Sequence, residues 1–559
     1  MLTITGDSLA NDLQITDAGG GNWAVSATVG GTTQFKLNGG PALPTAVFAA
    51  PATVKATLGI GSDRIDMLSL NLGGSLTING NDGDDAVLLS GVSVTGAVVV
   101  DTGTGHDDLD LTSTQLANTT TVRMGTGDDY FTAGGDLTFG RGLSADLGSG
   151  ANILDVNATS LQSNGNFSVL ASGSSVETQG FLLAAASGQV TGAVTLRTTT
   201  ASATVFQIGS VAGDDFRVTG GMTLQAGSGN DSVTLNQKIQ TGGALNIQLS
   251  NGTNEVVTTD LDSLRVGGLT YGGGSGADTV TLAGNTVWVT GQLNFTGGAA
   301  TNLLDLNPAV SLRVGGGLGY SGGINNDTLL IDGPDATIGA LVRFSGSNGS
   351  NYLGFNAVLG SVGALTYYGG SGADVVDVGE FDGLTDLVTI RGTVSIGAGA
   401  GSADIMVRDA IVMGNLNVST SVAFGGIDTV QILDSDVYGS TTLNLLGTAD
   451  TDVVVRDSIF DRSVTVSTGG GDDYVAFDTD TAVSSIYSQF YGAVRVILGA
   501  GNDIFAAGSN PAVDTVGNDF YSYVDVNGGT GYDRAYFIHY DYNNGFNGPL
   551  PWTNAEEFY

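Results

Sequence analysis

The stretch Gly274-Ser-Gly276-Ala-Asp278-Thr-Val280-Thr-Leu282 is followed by Asn285-Thr-Val-Trp-Val-Thr290 and then by Gly291-Gln-Leu-Asn-Phe-Thr-Gly297. A Gly-x-Gly-x-Asp turn opens the unit, and three apolar/polar alternations follow it. Alternation with period two puts one set of side chains inward and the other outward, which is the pattern of a strand with one buried face. Glycine and Asp at the turn supply the positive φ and the side-chain-to-backbone bonds that a sharp corner needs. One turn and three short strands make one coil.

The unit recurs. Strict copies of the turn place an Asp at Asp107, Asp129, Asp231, Asp278, Asp374, Asp473, Asp503 and Asp533, the first of them in Gly103-Thr-Gly105-His-Asp107. Weaker copies put Asn152, Glu255, Asn302, Asp327, Asn351 and Asp428 in or near the same place. From Asp63 to Asp533 lie 470 residues, which these copies divide into 19 steps of about 25 residues. Self-similarity at such a period is the signature of a solenoid. At about 3.3 Å per residue, 25 residues give a perimeter of about 80 Å, which suits a three-sided coil with a filled interior. The expected fold is therefore all-β: a parallel β-helix (β-solenoid) of about 20 coils of roughly 25 residues, three short strands per coil, right-handed like other parallel crossovers.

The ends depart from the repeat. Residues 1–55 carry Trp23 and the proline-bearing stretch Pro41 to Pro51, and read as an N-terminal cap or linker. Residues 56–518 are the repeats. Residues 519–559 read as a last coil with an aromatic cap, rich in Phe520, Tyr521, Tyr523, Tyr536, Phe537, Tyr540, Tyr542, Trp552 and Phe558. An uncapped end coil would expose an unpaired strand edge, so a cap is required at each end.

Composition narrows the function. Glycine is 90 of 559 residues, without the period of three that collagen needs, and the 41% hydrophobic content is too high for a disordered chain. The formal net charge of −38 argues against nucleic acid and anionic lipid as partners and makes cations the natural counterpart. No run of about 18 apolar residues is present for membrane insertion, and no stretch reads as a signal peptide. The absence of Cys excludes disulfides and thiolate metal sites.

Stacked in neighbouring coils, the Asp residues would lie about 5 Å apart and repel by roughly 0.8 kcal/mol per pair in water. Pairs such as Asp84-Asp85, Asp107-Asp108, Asp128-Asp129 and Asp472-Asp473 double the charge. A hard cation taking carboxylate and carbonyl oxygens would turn this repulsion into cohesion, whereas turn-forming Asp and Asn would need none.

The Gly-x-Gly-x-Asp-x-apolar motif resembles the calcium-binding nonapeptide of the RTX (repeats-in-toxin, hemolysin-type) proteins of bacteria. The texture of Gly-rich acidic coils is similar to that of bacterial surface and adhesin-like β-solenoids. The RTX resemblance implies Ca2+ as the bound ion and candidate ligands at Asp107, Asp129, Asp231, Asp278, Asp374, Asp473, Asp503 and Asp533. RTX arrays repeat every nine residues in tandem, whereas here one motif falls in each coil, so shared sites of the RTX kind do not transfer unchanged.

Catalysis finds little support. A polysaccharide-cleaving β-helix needs carboxylates beside Arg or Lys in a groove. Here His106 and His539 are far apart, Lys36, Lys55 and Lys238 are scattered, and the fourteen arginines form no dense cluster. The chain is thus expected not to be an enzyme. The leading expectation is an extracellular structural scaffold at the cell surface: a layer, stalk or filament component that self-assembles through end coils or lateral faces. The alternative is an adhesin module with a glycan or cell-surface partner.

Overall fold

The computed structural model describes residues 1–27, 35–172, 178–209, 215–379, 387–421, 426–479, 487–508, 518–537, 540–542, 552–553 and 557–558. These divide into two compact units, Met1–Gly276 and Ala277–Tyr559. Each is a parallel β-solenoid, and together they hold about 17 turns, close to the number of repeats. No helix occurs among the described residues, so none is long and apolar enough to cross a membrane.

In the first unit, one coil consists of strands Val54–Ile60, Arg64–Leu68 and Asn71–Leu72. The next consists of Leu76–Asp82, Ala86–Ser90 and Ser93–Val94. Each strand pairs in parallel with its counterpart one coil on, as in Leu76 with Val98 and Val87 with Leu109. In-register stacking follows from period-two alternation, since a slip of one residue would turn every core side chain outward. The coil is 22 residues long here and grows to 30 near the C-terminus, between Asp473, Asp503 and Asp533.

Three separate strands are not kept in every coil. From Tyr130–Phe139 onward, the second and third often run together into one long strand, as in Ile153–Ser163, Asn254–Val266 and Asn302–Val314. The corner survives there as a shift of register, for example between Gly135 and Asp136, where φ of +70° at Gly135 bends the chain.

Inward residues form columns along each unit. Ile78, Val100, Val122, Ala145, Val169 and Leu196 make one column in the first unit, all at most 3% exposed. In the second unit Phe295, Tyr320, Phe344 and Tyr367 stack with centroids 4.7, 4.7 and 4.9 Å apart and planes within 13°. The spacing of paired strands, about 4.8 Å, is also a comfortable stacking distance, so backbone pairing and ring contact reinforce each other.

The N-terminal segment continues the sheet and then covers it. Leu2–Thr5 and Asp12–Gly19 pair in parallel with the first full coil, while Phe35–Leu37, Asn22–Ala27 and Thr45–Ala49 add antiparallel strands. Trp23, 3% exposed, lies in the middle strand of this antiparallel layer, opposite Phe48. At the other end, Asn518–Phe520, Val524–Asn527 and Arg534–Phe537 continue the parallel pairing, with Phe520 stacked on Phe490 at 5.0 Å. His539 and the side chains of Tyr540, Tyr542, Trp552 and Phe558 lie outside the described residues.

Phe344 sits in the middle of the four-ring stack, fully buried. Replacing it by Ala removes two ring contacts and leaves a cavity in a wall of stacked backbone that cannot collapse easily. Denaturant unfolding of Phe344→Ala is expected to show a loss of about 3–5 kcal/mol, and Phe344→Leu a clearly smaller one.

Candidate functional site: the turn ladder

Each Gly-x-Gly-x-Asp turn lies directly over the turn of the coil before it. At Gly103 φ is +106°, and an added Cβ would come within 1.7 Å of the Asn81 carbonyl oxygen; at Gly105 φ is +135° and the corresponding contact, with Gly83 O, is 2.1 Å. Both positions therefore demand glycine, for conformation and for space. The motif is a stacking condition before it is anything else.

The Asp that closes the turn points inward. All eight Asp residues singled out by the motif are at most 1% exposed. Within the first unit the main-chain N–H of Asp63 donates to Asp85 Oδ1 at 2.8 Å, that of Asp85 to Asp107 Oδ1 at 2.8 Å, and that of Asp107 to Asp129 Oδ1 at 3.0 Å. The ladder continues through Asn152 and Gln179. Asp231 accepts from Thr204 N at 2.8 Å and donates its own N–H to Asn254 Oδ1 at 3.1 Å.

In the second unit the N–H of Asp278 donates to Asn302, that of Asp327 to Asn351, and that of Asn351 to Asp374. Further on, Asp473 accepts from Thr451, Asp503 from Asp473 and Asp533 from Asp503, at 2.9–3.0 Å. Each rung satisfies a buried N–H that strand pairing does not reach at the corner.

Asn and Asp share this position but differ in the second atom. Asn152 Nδ2 donates to Gly148 O at 3.2 Å, Asn254 Nδ2 to Ser250 O at 3.2 Å, and Asn302 Nδ2 to Gly298 O at 3.1 Å. The partner is each time the carbonyl four residues back in the same turn. In Asp85, Asp129 and Asp503 the matching atom is a buried Oδ2 that meets no hydrogen-bond donor. Burial pushes the Asp85 carboxyl up to about 7, opposed by the N–H of Asp63 and aided by the charges of Asp63, Asp107 and Asp84. Burial does the same to Asp129 and Asp503, each to about 7, and lifts Asp473 to about 6. The repulsion expected between stacked carboxylates is thus present, but desolvation is the larger effect.

Sequence reasoning missed several rungs. Asn254, not its neighbour Glu255, holds the ladder position; its offset of four from the turn residue Ser250 matches that of Asn152 from Gly148. Asn11 and Gln179 are rungs without the glycine motif.

A second, exposed ladder was also missed. Asp84 Oδ1 accepts the N–H of His106 at 2.9 Å, His106 Nδ1 that of Asp128 at 3.1 Å, and Asp128 Oδ1 that of Ala151 at 2.7 Å. Asp450, Asp472 and Asn502 repeat this near the C-terminus. The inner ladder accepts from the preceding coil and the outer from the following one. Adjacent acids such as Asp84-Asp85, Asp128-Asp129 and Asp472-Asp473 are one member of each.

His106 accepts through Nδ1, so its proton is assigned to Nε2. It is a ladder residue on the surface. Among the described residues no three His, Asp or Glu side chains converge as a metal cage.

The ladder acids are more easily protonated folded than unfolded, so the stability they lend is full below about pH 4 and is lost as pH rises through about 7. With chelator present, the melting temperature followed by circular dichroism is expected to be higher at pH 5 than at pH 8. In the double variant Asp85→Asn, Asp129→Asn that difference should shrink, because the amide donates to the turn carbonyl at either pH. No protein-family model, curated protein or solved structure matches the chain, so its function has to be argued from this geometry.

Proposed function

We propose that the chain is an extracellular structural β-solenoid, a surface-layer, stalk or filament component, whose acidic turns take up calcium. The observation that carries this reading is the distribution of the polar chemistry. It is repeated coil after coil in both units, one inward acid or amide per turn, rather than gathered in one cleft. Enzymes concentrate unlike groups in a single pocket, whereas a scaffold repeats one device along its length.

Calcium fits the donor chemistry. The Oδ2 atoms of Asp85, Asp129 and Asp503 are buried acceptors facing no donor, and the glycine turns bring main-chain carbonyls close to one another between coils. Calcium takes 6 to 8 oxygen ligands in flexible geometry. With no cage of three acidic side chains among the described residues, most of those ligands would be carbonyls, with Asp107, Asp129, Asp473 and Asp503 supplying carboxylate. When bound, the ion replaces protons as the neutralising charge. This agrees with the RTX-like form of the motif and with the net charge of −38.

The test is thermal unfolding at pH 8 with calcium and after chelation, repeated at pH 5. Calcium is expected to raise the melting temperature markedly at pH 8 and little at pH 5, and Asp107→Asn, Asp129→Asn should lose most of the pH 8 effect. A melt indifferent to calcium at pH 8 would remove the metal from the account. Protease treatment of intact source cells tests the location: digestion of the chain from outside supports it, and full protection contradicts it.

A further inference from the structure

The second unit carries a polar patch on one strand face. Its first strand position runs through Leu293–Thr296, Leu318–Ser321, the end of Asp335–Ser345 and the end of Leu359–Tyr368. Asn294, Gly319, Arg343 and Thr366 are in register on the outward side, and so are Thr296, Ser321, Ser345 and Tyr368. From Asn294 to Ser419 the outward positions of this face hold no Asp or Glu, in a chain with 55 of them. A face without acids repels anions less than the acidic turns do.

The missing side chain at Gly319 leaves a shallow notch of about 350 Å³ between Asn294, Thr296, Ser321, Arg343 and Ser345. It continues into a second of about 220 Å³ that shares Asn294, Gly319 and Arg343. Arg343 is exposed and makes no ion pair among the described residues, whereas Arg64, Arg217, Arg313 and Arg495 each pair with an Asp. Its guanidinium carbon lies 5.6 Å from the centre of the Tyr368 ring, which is 47% exposed.

We propose that this notch binds a saccharide carrying a carboxylate, of the uronic-acid kind. The exposed Arg343 guanidinium offers a planar fork that matches a carboxylate. The amide of Asn294 and the hydroxyls of Thr296, Ser321 and Ser345 donate and accept as sugar hydroxyls require. The Tyr368 ring, which the guanidinium overlies, holds Arg343 in place at the edge of the notch. The scaffold thereby gains a point of attachment to an acidic glycan, a role that does not depend on calcium at the turns.

Titration calorimetry and ligand-observed NMR with trigalacturonic acid, against a neutral galactose trisaccharide, test this in the full chain. A shallow notch implies a Kd on the order of millimolar, for the acidic sugar in preference to the neutral one. Arg343→Ala and Tyr368→Ala are each expected to weaken binding roughly tenfold or more, with unchanged melting curves because both side chains are on the surface. Arg343→Lys should recover part of the binding. Absence of binding by the wild-type chain would overturn the proposal, as would equal binding of the neutral sugar or an Arg343→Ala variant that binds as well as the wild type.

Discussion

One hydrogen bond per turn, from a main-chain N–H to the inward Asp or Asn of the next coil, is the contact on which the rest of each solenoid unit depends. Parallel pairing satisfies the strands, but at a sharp corner the chain turns away from its neighbour and an N–H would be left buried and unpaired, at a cost of about 1–3 kcal/mol each. The inward side chain of the next coil closes that gap. It also fixes the vertical register of successive turns, because its oxygen reaches the N–H only when the coils are stacked in line. The glycines follow from this contact: bringing one turn close over the next leaves no room for a Cβ at Gly103 or Gly105.

The same contact creates a charge problem that an amide would not have. Asn152 uses its second atom to hold its own turn, while Asp85 and Asp129 present an oxygen where Asn152 has a donor. A carboxylate so buried is held up to about 7 and wants a proton or a cation. Runs of Asp at both ends of the chain, where Asn would satisfy the hydrogen bonds better, are therefore the strongest internal argument that neutralisation is used and not merely tolerated. The calcium reading and the acid-stabilised ladder are two answers to one electrostatic demand.

Much of this was legible in the sequence because period-two alternation and the Gly-x-Gly-x-Asp spacing are properties of the backbone. The parallel all-β coil and the eight turn positions held by Asp could be read directly; that these side chains point inward could not. The fusion of strands across the second corner, as in Tyr130–Phe139, could not, since one glycine with positive φ is enough to keep the bend without breaking the pairing. Gln179 was hidden because a side-chain acceptor of the right reach can serve a corner that lacks the glycine turn, and Asn11 because it enters the ladder as a donor, through its main-chain N–H and its amide, to Asp63. The outer ladder was hidden in the doubled acids, whose second member reads as charge until the turns are stacked. Patch chemistry of the kind around Arg343 is assembled from residues about 25 apart and appears only when the register is known.

Amide hydrogen exchange at single-residue resolution tests the ladder most directly. The N–H groups of Asp63, Asp85 and Asp107 lie in turns at the edge of the coil, yet each donates to a buried carboxylate oxygen. They are predicted to exchange as slowly as the strand amides of Val87 and Leu109, and to speed up together when the three acceptors Asp85, Asp107 and Asp129 are replaced by Ala. Exchange of these three amides at the rate of exposed turn amides in the unaltered chain would contradict the account.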